Sequence, residues 1–301
     1  MAVRIRFSPF QKSPRRRRVL FTIAHYYGAS PDGKYGSTRA AAAEGRRAAL
    51  ERTIAGLHQV VAQPQALVHG PSHGFIPANG IDETEIDVVV CTTGDSHLLD
   101  GLALPAGAFR HHPTAAEPRF LGFECHDVLR DALGRYDWYC YLEDDIGIED
   151  TLFFTKLSWF AGWAGPDSVL QPNRFETSDV EPVRRLYIDG EPVKPERIGF
   201  IPDIHEANRI SADALGVEVG FRRVTNAHSG CFFLTQGQME RWAAQPDFLK
   251  RETAFVGPLE SAATLGLLRH FRVYKPVRAN AGFLEVRHLH NRYLGALLQF
   301  V

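Results

Sequence analysis

The 301-residue chain has four cysteines, Cys91, Cys125, Cys140 and Cys231, and no Cys-x-x-Cys spacing, which removes the common zinc and dithiol signatures. Three of the four lie inside apolar runs and read as buried free thiols of a reducing cytoplasm. No apolar stretch approaches the roughly 20 residues needed to cross a bilayer, and nothing has the form of a signal peptide, so a cytoplasmic location is the expectation. Charge of one sign is also missing overall. At a formal net charge of −1, no global field recruits nucleic acid, and any anion site has to be local. There is no internal repeat, no His-Glu-x-x-His and no Gly-x-Ser-x-Gly, which leaves zinc-protease and serine-hydrolase chemistry without a motif.

One segment lacks acids altogether. Residues 1–18 hold Arg4, Arg6, Lys12 and Arg15 through Arg18. Residues 1–17 read as a basic flexible tail, with peripheral contact to an anionic membrane face as its alternative role. Residues 18–301 read as one α/β domain, a size that buries a substantial core.

Val19–Ala24 is a short β-prone apolar run that opens into His25-Tyr26-Tyr27-Gly28 and a loop rich in glycine and serine. Apolar residues at helical spacing (Ala49, Leu50, Ile54, Leu57, Val60, Val61) predict a helix over 39–61, and Ile86–Thr92 predicts a second buried strand ending at Thr93-Gly94-Asp95-Ser96. Strand, helix, strand in that order favours a parallel sheet. Residues 101–118 read as an irregular link carrying His111-His112 on the surface, 120–133 and 151–164 as helices, and 169–172 as a further strand. Residues 173–227 are polar and weakly periodic and suit an excursion over the sheet face on the acceptor side. The core resumes at Cys231–Leu234, with helices expected over 236–244 and 259–268 and a terminal strand or loop over 285–291.

The most informative stretch is Tyr136–Ile146, an aromatic and apolar run that ends in Glu143-Asp144-Asp145. A buried strand delivering three adjacent carboxylates to a sheet edge needs either full hydration or a divalent cation, because like charges at that spacing repel. A hydrated turn feeding the next helix is the plain alternative. Two other strand ends carry polar residues of the kind a nucleotide site uses, and ligands of open parallel sheets sit at such ends. His25, Tyr26 and Tyr27 suit stacking or sugar contacts, and Thr93 and Asp95 suit hydrogen bonds to a base or ribose; Thr22, in the first strand, is grouped with them.

In these residues the chain resembles glycosyltransferases of the GT-A fold, whose Asp-x-Asp-like motif ends a core strand and holds a divalent metal against the diphosphate of a nucleotide sugar; Glu143-Asp144-Asp145 matches the acidic Glu-Asp-Asp form. The resemblance implies a Rossmann-like, mostly parallel sheet flanked by helices and a divalent cofactor (Mn2+, Mg2+ or Ca2+). Asp145 is then the direct ligand, Glu143 a ligand through water or none, and Asp144 a donor contact. Ser229 and Gly230, in the turn before Cys231–Leu234, fall beneath the sugar, and a C-terminal histidine, His288 or His290, completes the metal site. Glu260, at a helix start, is the expected base of an inverting reaction, with a simple helix-dipole partner as its other reading. The implied partners are a nucleotide-diphosphate sugar and a carbohydrate or glycolipid acceptor in cell-surface polysaccharide assembly. Two other classes stand beside this one. A sugar-phosphate nucleotidyltransferase would use Gly33–Arg39 as a loose phosphate loop, and a non-catalytic carbohydrate-binding protein would explain the aromatics but not the acids.

Overall fold

The computed structural model describes residues 15–28, 39–62, 64–79, 82–178, 183–189, 201–255, 257–290 and 292–297. At its centre is β1 (Arg15–Ala24), whose apolar residues alternate between two buried faces. Val19, Phe21 and Ile23 join one core cluster and Leu20 and Ala24 the other. A strand buried on both sides is continuously apolar for this reason, as parallel central strands are.

The chain continues through α1 (Ala43–Gly56), the hairpin β2 (Gln65–His69) and β3 (Gly74–Ala78), β4 (Asp82–Thr93) and β5 (Arg110–Thr114), then α2 (Leu121–Asp131) and β6 (Trp138–Glu143). β7 (Ile146–Gly147), α3 (Phe153–Ala164), β8 (Ser168–Leu170), β9 (Asn173–Thr177), β10 (Arg185–Tyr187), β11 (Arg209–Ala214) and β12 (Val217–Arg223) follow. The rest is β13 (Cys231–Thr235), α4 (Gln236–Ala243), α5 (Pro258–His270), β14 (Arg272–Pro276), β15 (Glu285–His288) and α6 (Arg292–Leu297). The main sheet runs β13-β6-β1-β4-β5. β6, β1, β4 and β5 are parallel, and only β13 at the edge is antiparallel. Helices α1 and α3 pack on one face, through Leu50, Ile54, Phe154 and Leu157. Helices α2, α4 and α5 pack on the other, through Leu129, Trp242 and Leu267. This is the helix-flanked, mostly parallel α/β sheet that the sequence predicts.

Two smaller sheets accompany the main one: β10-β9-β15-β7 continues from the carboxyl end of β6 through β7, and β11-β12-β14-β8 lies beside β13. They revise the reading of 173–227 as a mere excursion, since Phe175, Val219 and Phe221 are buried. Polar residues face solvent between these anchors, which is why the segment looked weakly periodic. The tail boundary also moves. Arg15–Arg18 lie in β1 opposite Asp82–Glu85 of β4, Arg16 pairs with Glu83, and Arg17 is buried beside Thr84. The acids of β4 make a basic run compatible with a strand. The link over 101–118 contains β5, an edge strand on which His111 is hydrogen-bonded to Thr92 (2.8 Å).

All four cysteines are buried free thiols. Among the described residues, no helix is long and apolar enough to cross a membrane. The β2–β3 hairpin exposes Leu67 and Ile76 as one cross-strand pair and Val68 and Phe75 as the next.

His126 of α2 sits inside the second cluster, ringed by Phe123, Tyr141, Phe232, Trp242 and Phe248. Burial pushes its pKa from 6.5 down to about 3, against a smaller opposing contribution from the Ala262 backbone. The folded protein therefore holds a neutral imidazole that the unfolded chain protonates. Stability from this residue is complete above pH 6.5 and is lost as pH falls from 6.5 towards 3, at up to about 1.4 kcal/mol per pH unit. Thermal melts of His126→Leu should lose less stability than wild type between pH 7 and 4.5; parallel losses would show that His126 does not drive acid sensitivity.

Candidate functional site

β6 carries aromatic and apolar residues on both faces until Glu143, which lies level with Ala24 at the end of β1. Glu143-Asp144-Asp145 then bridge directly into β7, so the trio occupies the seam between the main sheet and the β9–β15 sheet. Each carboxylate has a different environment there. Asp144 is 6% exposed. Its Oδ2 accepts from His25 Nδ1 (2.6 Å) and from the Arg46 guanidinium (2.7 Å). The Leu98 amide donates to His25 Nε2 (3.0 Å), which leaves the imidazole proton on Nδ1 and aimed at Asp144. Thr53 Oγ1 donates to the Asp144 carbonyl, tying α1 to the same residue.

Asp145 faces the other way, towards β15. Its Oδ2 is 3.4 Å from His288 Nε2 and 3.9 Å from His290 Nε2. Burial pushes the Asp145 pKa up, but the hydrogen bond and charge of His288, then His290 and Arg46, outweigh it and hold the carboxyl well below the usual range. Asp145 in turn raises His288 against the effect of burial. Glu143 has no such partner. Burial first, and then the charge of Asp145, raise its pKa to about 8, with Arg174 opposing. His228 Nε2 lies 3.8 Å from Glu143 Oε1, and burial followed by the Arg174 charge lowers the His228 pKa to about 3. Behind them Asp189 binds Arg174 (3.1 Å) and Lys275 (2.9 Å), and Lys275 also donates to the His228 carbonyl.

Gly230 allows this crowding. It adopts φ +64°, and a Cβ there would meet Ile146 Cδ1 at 2.8 Å and Glu143 Oε2 at 3.1 Å. The Glu143 amide donates to its carbonyl (2.7 Å), which locks the start of β13 against the acids.

Among the described residues, no group of three or more His, Cys, Asp or Glu side chains is placed to hold a metal ion as it stands. The donor chemistry nevertheless fits a divalent cation. Glu143 Oε1, Asp145 Oδ1 and His228 Nδ1 are buried without a hydrogen-bond partner, a costly state for an apolar interior. The gaps from Asp145 to His288 and His290 are near the roughly 3–3.5 Å that separates neighbouring ligand atoms around a cation bonded at about 2.0–2.2 Å. Asp145, His288 and His290 would be the residues to hold one, with Glu143 behind them.

Compared by sequence, the chain matches no protein-family profile and no curated protein. By structure it is similar to GalNAc-T7 solved with UDP, GalNAc and Mn2+, at a TM-score of 0.50 and 8% identity, over 90% of this chain. The fold is that of the GT-A glycosyltransferases. The chain spans 44% of that neighbour's length.

Within the GT-A frame the predicted site residues divide into two groups. Glu143, Asp145, His288, His290 and Gly230 converge at the seam. Asp144 is held by Arg46 and His25 instead of being offered to a ligand. His25 is fully buried, and Thr22 donates inside the sheet to the Cys140 carbonyl (3.1 Å). Ser229 is likewise buried, its hydroxyl donating to the Pro172 carbonyl (2.7 Å). Tyr26 and Tyr27 remain half-buried at the end of β1, where the Tyr27 amide donates to the Ser96 carbonyl. That bond brings the Thr93–Ser96 turn and exposed Asp95 alongside them. Glu260 is half-buried in the first turn of α5, its carboxylate folded back over Gly257 and its charge felt by Glu143 and Tyr141. Residues 33–38 of the loose glycine loop lie outside the described residues.

Sequence reasoning missed Arg46, Arg174, Glu176, Asp189 and Lys275 as parts of this centre. Arg174 and Glu176 lie on one face of β9 and Phe175 on the other, and both faces are buried, so no alternation of polar and apolar exposure marked them. Removing one partner of a buried pair leaves the other charge uncompensated. Asp144→Asn should therefore lower the unfolding free energy by about 3 kcal/mol in urea denaturation, whereas a change below about 1 kcal/mol, the scale of an exposed pair, would show that Arg46 does not depend on it.

Proposed function

We propose that this protein is a metal-dependent glycosyltransferase that uses a nucleotide-diphosphate sugar. The observation that carries the reading is the seam at the end of β6, where Asp145 meets His288 and His290 and buried acceptor atoms stand without partners, within a GT-A fold. The structural neighbour was solved with UDP and Mn2+, which supports a nucleotide donor here without defining its base or sugar.

A bound divalent cation would neutralise the diphosphate and stabilise the charge that accumulates on the leaving group, worth several kcal/mol in such reactions. The chain's own residues do the rest. Asp145 and His288 hold the cation, and the Asp144–Arg46–His25 bonds keep α1 and the end of β1 rigid around it. Tyr26, Tyr27, Thr93 and Asp95 line the donor side. The acceptor hydroxyl attacks the anomeric carbon, the bond to the diphosphate breaks with its electron pair leaving on the nucleoside diphosphate, and Glu260 takes the hydroxyl proton. A recess of about 310 Å³ lined by Asn173, Asp189, Asn226 and Lys275 offers room on the acceptor side for a carbohydrate or glycolipid. A place in cell-surface polysaccharide assembly is consistent with this chemistry.

A thermal-shift panel of nucleotide sugars with and without Mn2+, Mg2+ and Ca2+ tests the proposal, because a specific ligand raises the melting temperature by mass action. One donor should give a shift that requires the cation, and Asp145→Asn should abolish that shift while keeping the fold. Glu260→Gln should keep the shift and lose about 10²–10⁴-fold in transfer rate. Metal-independent behaviour with every donor would refute the reading, and near-normal transfer by Glu260→Gln would return Glu260 to a helix-start role.

A further inference from the structure

Glu176 is a carboxylate with no exposure at all, and the proposed reaction assigns it nothing. β9 and β15 run parallel with Phe175 opposite Arg287, so the next residues along, Glu176 and His288, are brought side by side. Glu176 Oε1 lies 2.7 Å from His288 Nδ1 and accepts the Tyr293 amide at 3.2 Å, while Oε2 accepts the Leu294 amide at 2.6 Å. Every recorded partner of this carboxylate is a donor. With Nδ1–H bonded to Glu176, Nε2, the atom 3.4 Å from Asp145, is the ring nitrogen left to face a cation.

We propose that Glu176 is a positioning residue for cation binding. It fixes His288 in the Nδ1–H tautomer with Nε2 turned to the seam, and through the amides of Tyr293 and Leu294 it fastens the start of α6 to the same point. This rests on the reading of Asp145 and His288 as cation ligands. A carboxylate behind a ligating imidazole sets the ring's orientation and raises its basicity, and removing such a partner weakens metal affinity by about 10–100-fold. The neighbouring acid of the strand pair, Glu285, instead binds Arg185 and Tyr187 near the surface. Arg287 is held by Glu149 and Thr177.

The test is Mn2+ titration calorimetry on the full chain, comparing wild type, Glu176→Gln, His288→Ala and the double variant. Glu176→Gln should bind Mn2+ about 10–100-fold more weakly than wild type, and should change nothing further once His288 is alanine, because the effect passes through that ring. Equal Mn2+ affinity of wild type and Glu176→Gln would overturn the inference while leaving the cation site standing. Absence of Mn2+ binding by wild type would overturn the cation reading itself, and this inference with it. Should Glu176→Gln not fold, the ¹⁵N shifts of His288 in the wild-type protein decide. An Nδ1–H tautomer supports the inference, and an Nε2–H tautomer overturns it.

Discussion

Three consecutive carboxylates at the end of a strand buried on both faces cannot all be charged without compensation, and much of the carboxyl end of this sheet is arranged around that constraint. The backbone sends Asp144 to one side of β6 and Asp145 to the other. Asp144 meets Arg46 and His25, which connect it to α1 and the end of β1. Asp145 meets the histidines of β15. Among the described residues no lysine or arginine contacts Glu143, and burial beside Asp145 favours its protonated form near neutral pH. One residue of the trio is thus tied into the fold, one faces the histidines of β15, and one is held towards its neutral form by burial.

The second half of the chain supplies this compensation from long range. β15 pairs with β7 on one side and β9 on the other, so the β15 histidines, Glu176 and the acidic trio share a few ångströms although more than a hundred residues separate the trio from His288. Arg174, Asp189 and Lys275 form a buried ionic layer beneath them. Such layers contribute little net stability, because desolvation offsets much of the attraction, but they restrict the geometry that surrounds them. The Lys275 bond to the His228 carbonyl carries that restriction to the turn holding Gly230.

The main sheet was legible because its strands are short apolar runs separated by helices of clear periodicity, and Tyr136–Asp145 in particular combined a buried strand with acids at its carboxyl end. His288 and His290 could be matched to the acids only through the family resemblance, since no local pattern connects them. Strands β10 to β12 were hidden by their half-exposed, polar sequences, β9 by the charged residues Arg174 and Glu176 that it buries, and β5 by its histidines and proline at an open edge. Arg15–Arg18 looked like a tail because their partners, Asp82 to Asp87, lie more than sixty residues away. Asp144 and His25 were assigned to the donor because chemistry visible in sequence does not reveal which polar residues a fold will use to satisfy one another. Glu176 was invisible for the same reason.

The central claim is that the seam at the end of β6 holds a divalent cation between Asp145 and His288. An anomalous difference map from crystals grown with Mn2+ and a nucleoside diphosphate tests it most directly. The account predicts a peak bonded to the Asp145 carboxylate and His288 Nε2, with the diphosphate on its open side. A peak elsewhere, with Asp145 still paired to an unliganded His288, would contradict it.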